Sequence, residues 1–166
     1  LIYRSGKAIV NSESTKSRRL DQFDKSILEI LSVEGRLPVT ELANRVGLSK
    51  SPCQSRLKRL QEEGFIKGFR AELNAELLGL EHIAFVEVKL NDTTEKALNE
   101  FNSAVAKIRE VEQCHMIAGQ FDYLIKVRTQ DIRAYRRVLG EKISTLPHVM
   151  NTSTPASMQA VKEAGF

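Results

Sequence analysis

Apolar residues return at two different periods along this chain, and the change of period divides it. From Leu20 to Leu60 the steps are three and four residues, the period of helices with one buried stripe. In LDQFDKSILEILSVEG the stripe is Leu20, Phe23, Ile27, Ile30 and Leu31, and Gly35 is placed to stop the helix. Pro38 and Thr40 open a second helix, with Thr40 as its cap and Leu42, Ala43 and Val46 inward. Gly47 supplies a tight turn between crossing helices, and Leu48 plugs the space between them. A third helix starts at Ser49 or Ser51, tolerates Pro52 in its first turn and turns Cys53, Leu57 and Leu60 inward. Gly64 ends it, and FIKGFRAEL alternates enough to form a short strand or wing.

The step then falls to two. Ala84, Val86, Val88 and Leu90 alternate with Ile83, Phe85, Glu87 and Lys89, which predicts a strand. Thr93 or Thr94 caps a helix with Ala97, Leu98, Phe101, Val105 and Ile108 inward. Val111 to Ala118 and Tyr123 to Thr129 are strands joined by a turn at GQFD. Asp131 caps a last helix with Ile132, Tyr135, Val138, Leu139 and Ile143 inward, and Val149 to Met158 is extended. Pro155 cannot donate to a ladder, so it belongs at an edge or a bulge. The order β-α-β-β-α-β is that of a split βαβ sandwich. Two helices cover one sheet face, and apolar residues on the other predict association with a second copy.

The fold class is therefore α+β: an N-terminal winged helix-turn-helix followed by a βαββαβ ferredoxin-like domain. Residues 20–73 form the first domain, 74–81 a linker, 82–160 the second domain and 161–166 a tail. Residues 1–19 are polar and aperiodic, and read as a flexible arm or as residues foreign to the natural protein.

Charge follows the same division. The chain carries net +4, made of +6 over residues 1–70 and −2 over residues 71–166. The basic charge gathers on the third helix, whose outward positions are Lys50, Ser51, Gln54, Ser55, Lys58 and Arg59, opening at Ser49. Glu62 and Glu63 appear only at its end. Gln can bond adenine at two points, Ser a base edge or phosphate, and Lys or Arg guanine or phosphate. A helix N-terminus favours a phosphate. Lys67 and Arg70 beyond the helix suit backbone phosphate. The plain alternative is a solvated face on a three-helix bundle.

Four segments together, LDQFDKSIL, GLSKSPCQSRLKRLQEEGFI, GFRAELNAELLG and GQFDYLIKV, resemble the Lrp/AsnC family of bacterial and archaeal feast/famine regulators. The resemblance runs from Leu20 to Lys162, and within the family the chain is similar to the proline-dehydrogenase activators of proteobacteria. It implies a DNA-binding transcriptional regulator that meets a pseudo-palindromic operator as a dimer, tetramer or octamer. An amino-acid effector near the turn between the second and third strands is implied too. That turn holds Gly119, Gln120, Asp122 and Tyr123, with Gly119 offering a bare amide and Asp122 accepting from an ammonium. Gly and Asp also suit a hairpin turn with no ligand at all. Three positions depart from the family pattern: Ala75 stands where proline is frequent, His148 where glycine is common, and Pro155-Ala156 where β-favouring residues are usual.

His82, His115 and His148 have no metal-ligand spacing, and no phosphate loop is present, so neither metal, cofactor nor catalysis is expected. Cys53 and Cys114 are expected reduced, in a cytoplasmic protein associated with the nucleoid. No apolar run is long enough for a membrane span. Two other functions fit the same pattern: an architectural DNA-binding protein with little sequence preference, and a small-molecule sensor acting through a protein partner.

Overall fold

A computed structural model of the chain describes residues 19–155, Ser157 and Val161. The predicted arm (save Arg19), the far end of the last predicted strand and most of the tail lie outside those residues. The chain divides into two compact units between Ala71 and Glu72.

In the first unit, α1 spans Gln22–Val33, α2 Val39–Val46 and α3 Lys50–Glu62. Asp21 and Asp24 close a reciprocal cap at the start of α1, each carboxylate accepting from the other's backbone N–H at 2.9 and 3.1 Å. Ile27, Leu42, Ala43, Val46, Cys53 and Leu60 form the core. Gly47 takes φ 73°, and its N–H and that of Leu48 return to the last turn of α2. That is the left-handed helix end that glycine permits. Three expectations are corrected here. Pro38, not Thr40, stands at the cap of α2, because the helix starts two residues earlier than a Thr40 cap implies and Thr40 lies inside it, exposed. Phe23 is 40% exposed and lies under the Arg56 guanidinium, 5.4 Å from its ring centre, instead of joining the core. Residues 65–73 form no strand. With Gly64 in a left-handed turn and Gly68 within it, that stretch pairs with no neighbour among the described residues.

In the second unit, β1 (His82–Leu90), α4 (Glu95–Val105), β2 (Val111–Met116), β3 (Tyr123–Thr129), α5 (Ile132–Val138) and β4 (Val149–Ser153) follow in the expected order. Leu139–Ile143 continue α5 as one π-helical turn. Thr94 and Asp131 cap α4 and α5 with their side chains. The sheet order is β2-β3-β1-β4 with antiparallel neighbours, the arrangement of a split βαβ sandwich. Ala84, Val86, Val88 and Leu90 meet Phe101 and Val105 of α4 and Tyr135 and Val138 of α5 in one core. Ile132 is a correction: it is 56% exposed, because as the first residue after the Asp131 cap it precedes the turn that touches the sheet. β4 ends at Ser153, so Pro155 lies outside the ladder at an edge strand, where no backbone donor is missed. His148 takes φ 64°. This is the left-handed region, which explains why glycine suits that position.

The second sheet face is less apolar than its sequence suggests. It carries half-buried Ile83, Phe85 and Leu124, but also buried Lys126 and Arg128. Both cations reach Glu112, Lys126 at 3.0 Å and Arg128 through its Nε. Pairing with β3 slips between Val111 and Gln113, so Glu112 is the extra residue that the irregularity frees for this role.

Candidate nucleic-acid interface and effector turn

The outward side of α3 divides into a free stripe and a bound flank. At 3.6 residues per turn, Ser51, Gln54, Ser55 and Lys58 share about 100° of the helix surface. All four are exposed, as are Ser49 and Lys50 at the N-terminal end. Among the described residues Lys58 meets only Glu62, at 3.7 Å and in solvent, a contact that a phosphate can replace. Lys67 and Arg70 are exposed on the irregular stretch after the helix.

Arg59 does not belong to that stripe. Its Nη2 lies 2.6 Å from Asp24 Oδ2, and Arg56 Nη1 lies 2.9 Å from Asp24 Oδ1 and 2.6 Å from Asp21 Oδ2. Asp24 is 1% exposed. Burial pushes its carboxyl up, but hydrogen bonds from Arg59, the Asp21 amide and Arg56 outweigh it and hold Asp24 below the usual carboxylate range. Arg59, expected as a DNA contact, thus clamps α3 to α1 through Asp24 while its side chain stays 40% exposed. Asp24 and Arg56 were missed among the functional candidates. The available signal was an Asp on the helix side that carries Ile27, facing two arginines three residues apart on α3.

The turn between β2 and β3 is closed by Ile117 N–H to Asp122 O at 3.0 Å, and Asp122 N–H donates to Val88 O at 2.9 Å. Asp122 Oδ1 accepts from Lys89 Nζ at 2.9 Å and Oδ2 from the Leu90 amide at 2.8 Å. Burial raises the Asp122 carboxyl, yet the Leu90 and Lys89 donors bring it below its ordinary value. Asp122 is therefore an anchor of the turn on β1, not an open acceptor for an ammonium. Tyr123 is also corrected: it is 2% exposed, with its ring 4.4 Å from that of Phe101, and belongs to the core. Gly119 and Gln120 stay exposed. A Cβ added at Gly119 would meet nothing within 4 Å, and the residue has no left-handed backbone. The chain itself gives no reason for a glycine there.

Cys53 and Cys114 are both free, and burial pushes the Cys114 thiol up to about 11, so it carries little thiolate at neutral pH. His82 bonds Thr129 and His148 bonds Glu100, so both have structural partners.

Residues 20–67 match the family "Winged helix-turn-helix DNA-binding", and residues 83–165 the family "Lrp/AsnC ligand binding domain". The chain belongs to the Lrp/AsnC family. A protein of Rhizobium radiobacter named proline dehydrogenase transcriptional activator is 68% identical over 155 residues, covering 93% of this chain and 99% of its own length. The leucine-responsive regulatory protein of Escherichia coli is 42% identical over 156 residues, covering 94% and 95%. A transcriptional regulator of Neisseria meningitidis, solved as a complex with L-Met, superposes with TM-score 0.81 at 31% identity, covering 87% and 94%. Like them, this Lrp/AsnC chain is a DNA-binding transcriptional regulator and not an enzyme. No described helix is long and apolar enough to cross a membrane.

Proposed function

We propose that this regulator reads one half of a pseudo-palindromic DNA site with Ser51, Gln54, Ser55 and Lys58 of α3, entering the major groove. Ser49 and Lys50 then meet a phosphate at the helix N-terminus, and Lys67 and Arg70 hold the backbone. The observation that carries this is the free stripe on α3: its polar groups are exposed, while the neighbouring arginines are held by Asp24. A second copy supplies the second half-site, in a dimer, tetramer or octamer built through the second domain, and the protein works in the cytoplasm on the nucleoid. The relatives' names support a target gene for proline dehydrogenase.

An amino acid acts at the turn, where exposed backbone at Gly119 and Gln120 gives a carboxylate bare amides. The L-Met complex of the Neisseria regulator supports the effector class. The test compares affinity for a promoter fragment upstream of the proline dehydrogenase gene with affinity for random DNA at one salt concentration. A ratio of about a thousand or more is expected of a specific reader. Equal affinities would make the protein an architectural DNA binder, and no binding at low salt would leave α3 merely solvated.

A further inference from the structure

One flank of α3 is built to set how the helix is turned about its own axis. Cys53 and Leu60, its fully buried side chains, stand seven residues apart, within about 20° of each other round the helix, with half-buried Leu57 beside them. Packing along one such line holds α3 at its distance from the core but resists rolling only weakly. The polar hold is one-sided. Arg56 and Arg59 lie about 60° and 120° round from Cys53 on the same side, between the buried line and the exposed stripe. Asp24 receives both, at 2.9 and 2.6 Å, and Arg56 also reaches Asp21 at 2.6 Å and lies over the Phe23 ring. On the other flank Lys50 and Gln61 are exposed and make no side-chain hydrogen bond or ion pair among the described residues.

We propose that Asp24 is a positioning residue for base recognition: through Arg56 and Arg59 it sets the roll of α3 and hence the place of Gln54. This rests on the reading of the exposed stripe as the face that meets the bases. Side-chain tips stand about 5–6 Å from a helix axis. A roll of about 20° therefore carries the Gln54 amide by about 2 Å. A two-point bond to adenine is made over a donor–acceptor range of about half an ångström, so that roll breaks it. Lys58 behaves differently, because a point charge on a flexible stem follows a phosphate over the same distance. Loosening the clamp thus removes discrimination and leaves charge attraction. Asp24 suits the task because its own end is fixed. It is 1% exposed and tied to the start of α1 by the Asp21 amide at 3.1 Å.

The test measures dissociation constants of the full chain for the promoter fragment and for random DNA over a range of salt, at a temperature where every variant is folded. Asp24→Asn keeps the shape and removes the charge that both arginines meet. It should lower the ratio of promoter to random affinity about tenfold, most of one two-point base contact, with random-DNA affinity and salt slope unchanged. A merely structural role would scale both affinities by the folded fraction and leave their ratio alone. Arg59→Ala, which leaves Asp24 paired with Arg56, should lower the ratio in the same way and decides the matter if Asp24→Asn does not fold. Joined to Gln54→Ala, Asp24→Asn should change the ratio by less than about twofold, because the contact it positions is already gone. A full tenfold loss in that background would show Asp24 acting other than through Gln54 and overturn the proposal. So would a ratio that both clamp variants leave unchanged. If Gln54→Ala itself leaves the ratio intact, the base-reading stripe falls and this role with it. If Gln54→Ala collapses the ratio while both clamp variants spare it, the stripe stands and Asp24 alone is removed.

Discussion

Helix α3 and the turn between β2 and β3 carry similar residues, but the fold uses them in opposite ways. On α3 the polar groups at Ser51, Gln54, Ser55 and Lys58 face outward, because a helix packed by Cys53 and Leu60 must present its other side. At the turn, the two residues richest in recognition chemistry are consumed by the chain itself: Asp122 holds β1, and Tyr123 fills the core. A helix closes its own backbone bonds and leaves its side chains available. A turn between strands borrows side chains to close. Polar composition therefore signals availability far better on a helix than in a hairpin.

The strongest way to break that comparison is at the flank where α3 does turn charge inward. Asp24→Ala leaves Arg56 and Arg59 without their buried partner. Stranding one side of a buried pair is costly, and with the arginines partly in solvent a loss of about 3 kcal/mol is expected by urea denaturation of the full chain. The sign with pH follows from the depressed Asp24 carboxyl. Its contribution is complete above the unfolded value of 3.8 and is lost as pH falls through the lower folded value. The parent should thus lose stability to the variant's level only well below pH 4, and a gap between them that closes near pH 6 would remove Asp24 from the account.

On the free stripe the expected losses are of binding, not stability. Gln54→Ala should cost about 1–3 kcal/mol of discrimination between operator and random DNA. An equal fall for both would show that Gln54 reads no base. Lys58→Ala should weaken all sequences and flatten the salt dependence by about one unit. Arg59→Ala separates stripe from flank: it should lower the melting temperature while leaving the salt slope unchanged. A slope reduced by a full unit would return Arg59 to the phosphate backbone.

Much of this was legible from periodicity. The split βαβ order, the Gly47 turn and the caps at Thr94 and Asp131 rest on local patterns that the tertiary structure keeps. What stayed hidden depends on partners far apart in the chain. Arg59 lies next to Lys58 and is as basic, and only the placement of Asp24, thirty-odd residues earlier, decides that one is held to α1 while the other meets only the exposed Glu62 of its own helix. Glu112 likewise meets Lys126 and Arg128 through an irregular register that alternation does not foretell. No strand forms over residues 65–73, because alternation describes a strand's faces, not whether a neighbour exists to pair with it.

At the turn, two substitutions separate anchor from contact. Asp122→Asn keeps the shape but weakens the hold on Lys89 and the Leu90 amide, at about 1–2 kcal/mol of stability. Gly119→Ala meets open space at an ordinary backbone angle, so the melting temperature should hold. If the effector packs on that backbone, the added methyl should nevertheless reduce the thermal shift given by the amino acid that stabilises the parent. Gly119→Ala with an undiminished shift would move the effector away from Gly119.

The smallest effect expected is at His148, and it tests whether a residue that departs from the family pattern is strained or compensated. Its left-handed φ of 64° costs an L-residue about 1 kcal/mol, which glycine avoids. Against this, His148 Nε2 lies 2.8 Å from Glu100 Oε2, an exposed contact worth under about 1 kcal/mol. His148→Gly removes strain and contact together, and the greater freedom of glycine in the unfolded chain offsets part of the gain, so stability should move by less than about 0.5 kcal/mol. His148→Ala removes the contact and keeps the strain, so it should fall about 1 kcal/mol below the glycine variant. Equal stabilities for the two would mean that the backbone at 148 relaxes freely, leaving the Glu100 contact as the whole of what the histidine adds.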